Sequence, residues 1–310
     1  YTGKTVIEQG GWLGLAGPVS IAASAGVQAD GAFDVSRAAG NVNLQSLSGN
    51  GTVYLGGNTL VLTKAGGTFN GQLADGGLGG GTGAALGIES GEEVLAGDNL
   101  YSGPTSIGPQ ALLHLQGAVS GSVLDAGALI GNGLVRGDLR VSGTVAPGNA
   151  GGVYQALTVG GAYLQAAGAT YIAQWNVAQE GVSSQLHVGG GALLQPGAVL
   201  SLVPSATSVA AFQGVRRYTL LTANGGLSGT YTVVGNAGLS TNLKVVPVYD
   251  GEHVYLDVSY ADAAAPAPAP APAPAPPPPA FAAAAHTPNQ AAVLAAIQNM
   301  PSSSAPFMAL

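Results

Sequence analysis

The chain has 310 residues, with 51 Gly, no Cys, 46% hydrophobic and only 7% charged residues, and a net charge of −7. An ordinary enzyme carries about a quarter charged residues and a disordered chain is poor in Val, Leu and Ile, so neither description fits the whole chain. Its eight Lys and Arg form no basic cluster to follow a phosphate backbone, which excludes nucleic acid as a partner.

From residue 1 to about 213, short apolar runs alternate with Gly, Asn, Ser and Ala. "YTGKTVIEQGGWLGL" at residue 1 returns as "YSGPTSIGPQALLHL" at residue 101. Inside both lies a smaller unit: an aliphatic residue, three variable residues, Gly or Ala, one residue, and a large apolar one. It occurs as Ile7-x3-Gly11-x-Leu13, Val27-x3-Gly31-x-Phe33, Ile107-x3-Ala111-x-Leu113 and Val123-x3-Gly127-x-Leu129. A repeat of about 20 residues with strand-sized apolar runs predicts a β-solenoid. Each rung offers a few inward aliphatic side chains that only its neighbours can bury. Glycine is expected at the corners, where a positive φ is often needed. A globular β-sandwich would leave the repeat unexplained, and helical repeats would lose about 1 kcal/mol at each interior Gly relative to Ala.

Several stretches of this zone invite a functional reading. Asp30 and Asp34 would form an acid pair on a helix, but a strand places both on one outward face. "DGGLGGGTGAALG" (residues 75–87) reads as a flexible loop projecting from the stack. Its Gly79-x-Gly81-x-x-Ala84 matches a dinucleotide fingerprint only loosely, with no helix pattern or acidic residue after it. Arg136-Gly137-Asp138, between Leu134-Val135 and Leu139-x-Val141, reads either as a solvated corner or as a triplet that adhesion receptors bind. Tyr154, Tyr163, Tyr171 and Trp175 would stack on sugars or proteins if outward, and inside the stack if inward. His114, His187, His253 and His286 are far apart, and no H-E-x-x-H or G-x-S-x-G motif occurs. The expectation is a chain with no catalytic residues, no metal and no cofactor.

Residues 214–260 are richer in Tyr and Val. "LKVVPVYDGEHVYLDVSY" is two alternating runs around Asp250-Gly251, a hairpin signal, and such a hairpin would close the open end of the stack. Residues 261–285 form a Pro/Ala-rich polyproline-type linker. Residues 286–310 have helical character, with Thr287 as N-cap, Pro288 and Gln290 behind it, and an apolar stripe of Val293, Leu294 and Ile297. The chain opens on Tyr1-Thr2-Gly3 without a Met or a signal-like region and reads as an excised or processed fragment.

Four motifs in order carry a resemblance. The Tyr-[Thr/Ser]-Gly-x-Thr unit with its aliphatic-x3-Gly-x-Leu continuation resembles the passenger-associated transport repeat of bacterial autotransporters. "GTVAPGNAGG" (143–152) resembles a segment common near the end of such passengers. "RRYTLLTANGGLSGTYTVV" (216–234) with its hairpin resembles the autochaperone region, and "TPNQAAVLAAIQNM" (287–300) the lead into the translocating barrel. The resemblance implies a right-handed parallel β-helix stem (residues 1–213) with a C-terminal cap (214–260). It also implies export to the cell surface through the protein's own outer-membrane β-barrel, which this chain lacks, and folding outside the cell from the C-terminal end. The expected function is that of a monomeric, non-catalytic stem and folding core. It would display an upstream functional domain, for which a subtilisin-like serine protease is one family precedent. The alternative is an adhesin that binds host-cell receptors through Arg136, Gly137 and Asp138 or the Gly-rich loop. An enzyme acting on polysaccharide is disfavoured by the scarcity of Lys, Arg and clustered carboxylates.

Overall fold

Runs such as Thr59–Leu62 and Ala156–Val159 bury every second side chain, as a strand with one face inward must. The computed structural model describes residues 2–148, 154–205, 214–235 and 243–260. The chain divides into two compact units, Tyr1–Ala265 and Pro266–Leu310. The expected linker and helical segment lie outside the described residues.

The described residues contain 30 strands and no helix, in four sheets of 3, 4, 15 and 8 strands. Among the described residues the strands pair in parallel up to the final hairpin, with two isolated antiparallel bridges on the way, Gly131 with Gly148 and Trp175 with Ser183. Trp12, Ala32, Thr52 and Gln72 lie side by side on four successive rungs. Further along, Thr105, Val123, Leu139, Tyr163, Ala192 and Leu227 do the same, with longer steps toward the C-terminal end. The inward side chains form one continuous apolar core from Ile7 to Val258. The described residues are thus all-β, with parallel strands stacked rung on rung, consistent with the solenoid class.

Half of the sequence unit falls where expected. Gly11 and Gly31 occupy equivalent corners, and Leu13 pairs with Phe33. Ile7, however, pairs with Ala29 rather than Val27, because the first corner holds two more residues than the second. Likewise Leu113 pairs with Leu129, but Ile107 pairs with Asp125 rather than Val123. The copies at residues 1 and 101 also serve different corners. Gly11 begins a column that continues through Gly31 to Gly117, whereas Ala111 lies under Gly127 at another edge of the rung. Both corners ask for the same thing, an aliphatic side chain turned inward on either side of a tight bend.

Glycine at these corners answers to crowding. Gly31, Gly51, Gly71, Gly97, Gly117 and Gly133 each lie on the carbonyl oxygen of the preceding glycine in the column, and a Cβ would stand only 1.8–2.4 Å from it. That carbonyl accepts the N–H of the residue after the next glycine, as Gly97 does from Ala118 and Gly117 from Leu134. None of these six has a positive φ, which corrects the expectation that handedness of the backbone places them. Beside the column the side chains bond upward too: Asp30 Oδ1 accepts from Asn50 Nδ2 at 2.8 Å, and Asn50 Oδ1 from Asn70 Nδ2 at 3.0 Å.

At the C-terminal end the pairing changes direction. Val215–Ala223 continues the parallel sheet on one side and pairs antiparallel with His253–Tyr260 on the other. Leu243–Tyr249 completes the hairpin and forms the outer edge. Arg217 makes two 2.7 Å hydrogen bonds to the Asp257 carboxylate and lies 4.9 Å over the Tyr255 ring. Pro247 and Lys244 occupy the free edge strand, where a missing N–H and a charge both discourage another strand from adding.

Candidate functional site

Arg136-Gly137-Asp138 joins strand Leu134–Val135 to strand Leu139–Val141. Gly137 belongs to a second column of close approaches, Gly103, Gly121, Gly137, Gly161, Gly190 and Gly225. A Cβ on Gly137 would meet Ser122 N at 2.7 Å and Gly121 C at 2.8 Å. Its own carbonyl accepts the Gly161 N–H at 3.0 Å. Both flanking charges are tied to neighbouring rungs. Arg136 donates to Asp98 through two nitrogens at 2.7 and 3.0 Å, and this guanidinium holds the Asp98 carboxyl below the usual carboxylate range. Asp138 Oδ1 accepts the Ala162 N–H at 2.9 Å, and the Asp138 N–H donates to Ser122 Oγ at 3.1 Å. The Arg136–Asp98 pair is exposed, at 39% and 56%, and an exposed pair contributes only about 0–1 kcal/mol. The crowded glycine, more than the ion pair, holds this corner in shape.

Asp138, Arg140, Leu164, Leu193, Ser228 and Gly251 are among the residues that line an open groove of about 520 Å³. It follows the outward face of the sheet, where Arg140, Leu164 and Leu193 are register partners.

The Gly-rich segment does not project freely. Asp34 Oδ2 accepts the Leu78 N–H at 2.7 Å, and Asp34 Oδ1 accepts the Ser36 hydroxyl and N–H. Asp75 accepts the N–H groups of Gly83, Ala84 and Ser102 and the Ser102 hydroxyl. The backbone lies so flat that a Cβ on Gly77 would touch Asp34, Ser36 and Tyr54 at 2.8 Å. Glycine here lets a strap lie against the stack. The strap covers Asp34, which is 3% exposed, while Asp30 stays on the polar corner; the two make no common acid–base site. Burial opposes the charge on Asp34, but the Leu78 and Ser36 donors outweigh it and hold its carboxyl low.

The aromatic residues turn inward. Tyr163, Tyr171 and Trp175 are buried, and Tyr154 is half-buried. Tyr171 donates to the Leu220 carbonyl at 2.6 Å, Tyr163 to Gln165 Oε1 at 2.7 Å, and Trp175 packs edge-on against Tyr218. His114 and His187 contact Gln116 and Gln185. The hairpin turn brings His253 Nδ1 to 2.9 Å from Asp250 Oδ1, a pairing the sequence reading did not make. His286 lies outside the described residues. Among the described residues no three His, Cys, Asp or Glu gather as a metal-binding group.

Two acidic residues that the sequence reading passed over lie inside the stack. Glu93 pairs in register with Leu113, and Asp125 with Ile107 and Val141, all inward positions. The signal was the inward register itself, hidden in Asp125 by the two-residue offset and in Glu93 by a bulge between Ile88 and Ser90.

No protein-family model matches the chain, and no curated protein matches it.

Proposed function

We propose that this chain is the non-catalytic stem and folding core of an autotransporter passenger. In this reading residues 1–213 are a right-handed parallel β-helix and residues 214–260 are its cap. The stem works by stacking: each rung is stabilised by the rung already folded beside it, so the order runs from the antiparallel end toward residue 1. Export through an outer-membrane barrel and display of an upstream functional domain follow from that order. The observation that carries the reading is the rung-on-rung parallel pairing of the described strands between Lys4 and Val234, ending on an antiparallel hairpin. The candidate side chains support it as well, since Arg136, Asp138, Asp34, Asp75 and the buried tyrosines are engaged by their own neighbouring rungs.

Removing residues 214–260 tests the proposal. The stem should then become sensitive to a nonspecific protease and be poorly displayed on cells. Display of a protease-resistant stem without that segment would defeat it.

Adhesion is the second reading, favoured by one observation: Asp138 of the triplet is among the residues that line the open groove. Attachment of host cells to the chain and to Asp138→Glu separates the two readings. Loss of attachment in the variant, at unchanged urea midpoint, would assign the triplet to a receptor.

A further inference from the structure

Buried carboxyls in this chain are treated in two ways. Asp34 takes donors from Leu78 and Ser36, and Asp257 takes the Arg217 guanidinium. Glu93 and Asp125 are 0% and 1% exposed, and among the described residues none of their four carboxyl oxygens accepts a well-formed hydrogen bond. The donors near them are poorly aligned main-chain N–H groups, those of Gly66 and Gly67 at Glu93 and of Gly127 at Asp125.

Their surroundings are apolar or main chain. The Glu93 carboxyl lies over the Gly66–Gly67 turn, where a Cβ on Gly67 would come within 3.5 Å of Oε2, and its register partner is Leu113. On the segments around it, Lys64 and Glu92 are exposed and His114 takes the opposite face of the strand from Leu113. Asp125 sits between Ile107 and Val141, with Arg140 on the outward face. The titratable group facing it is the Tyr163 phenol, which is buried and bonded to Gln165. Among the described residues no Lys, Arg or His is buried inside the stack to balance either acid. An unpaired ionised carboxylate is far more costly to bury than its neutral acid, so the acid form is the one that fits.

We propose that folding of this chain takes up two protons, one at Glu93 and one at Asp125, so that the stack closes around a neutral interior and opens more readily as the medium turns alkaline. The proposal goes beyond the stem reading and does not depend on it.

The sign follows from linkage. Burial pushes Glu93 up to about 8, opposed by the Gly67 and Gly66 N–H groups, and pushes Asp125 up to about 7, opposed by Gly127. Both values lie above those of the unfolded chain, so the folded state binds more protons in between. The contribution is most favourable below the unfolded values, falls as pH rises, and levels off above about 8. Each carboxyl changes the unfolding constant by at most about 10-fold per pH unit, and both together by less than about 100-fold per unit, most steeply near about pH 6. Asp30, Asp34, Asp98 and Asp250 are held low and weaken the fold only below about pH 4, outside this window.

The test is urea unfolding of the full 310-residue chain between pH 5 and 8.5, beside Glu93→Gln, Asp125→Asn and the double variant. The wild-type midpoint should climb as pH falls, and the double variant should lose most of that climb. A flat wild-type profile, or a double variant with the wild-type slope, would overturn the proposal. Should the double variant not fold, infrared spectra of the wild type at neutral pH decide. A protonated-carboxyl band that disappears on unfolding supports the proposal, and its absence overturns it.

Discussion

Replacing Gly117 with Ala would test the most specific feature of the stack. A Cβ there would stand 2.0 Å from the Gly97 carbonyl oxygen and 2.6 Å from its carbon. Ordinary contact needs more than an ångström of extra separation. The groups that must part are backbone, and they are tied by the Ala118 N–H bond to Gly97 O at 3.1 Å. Overpacking of a close-packed site costs about 1–3 kcal/mol, and a weakened backbone hydrogen bond adds about 0.5–1.5 kcal/mol. The expected loss is therefore about 2–4 kcal/mol. Gly87→Ala is the matched control: it lies within a strand, has no positive φ, and its Cβ would meet Val61 methyls at 3.7 and 3.8 Å. That change should be neutral or stabilise by up to about 1 kcal/mol, because it restricts the unfolded chain. Urea unfolding followed by far-ultraviolet circular dichroism compares the two directly. Equal midpoints, or a Gly117→Ala midpoint above that of Gly87→Ala, would refute the close-approach account of these glycines.

Three further outcomes follow from the same geometry. Gly137→Ala should lower the urea midpoint, whereas Arg136→Gln should change the unfolding free energy by less than about 1 kcal/mol, since the lost ion pair is exposed. Trp175→Ala empties a fully buried site against Tyr218 and should cost about 3–5 kcal/mol; a loss under 1 kcal/mol by the same assay would mean the core collapses around the gap. Pro247→Val with Lys244→Val restores a flat apolar edge on the last strand and should produce concentration-dependent association in sedimentation. A strictly monomeric double variant would show that these two residues do not guard the edge.

The rung structure was legible because alternation and regular Gly spacing are direct consequences of stacking. Asp250-Gly251 marked the hairpin for an equally local reason. Register was harder to read. Two extra residues in one corner slid Ile7 onto Ala29, and two in a different corner slid Ile107 onto Asp125; sequence spacing alone cannot register a length change inside a bend. That offset hides the inward place of Asp125, and the bulge between Ile88 and Ser90 hides that of Glu93, since a charged residue in an alternating run reads as outward. The Gly-rich strap was misread for a different reason: its rigidity comes from Asp34 and Asp75, the first of them about forty residues away. At Arg136-Gly137-Asp138 the corner reading matched the chain path, but the reason for Gly137 lies in the column of glycines through neighbouring rungs.

The most direct test of the stem reading sets two changes side by side in a displayed passenger. One deletes residues 214–260; the other replaces Arg136 and Asp138 with Ala. Surface display is then read by nonspecific protease resistance on intact cells. The account predicts that the deletion abolishes resistant display and that the double substitution leaves it within about twofold of wild type, because the exposed Arg136–Asp98 pair and the single Asp138–Ala162 hydrogen bond that it removes contribute little. Resistant display that survives the deletion would contradict it.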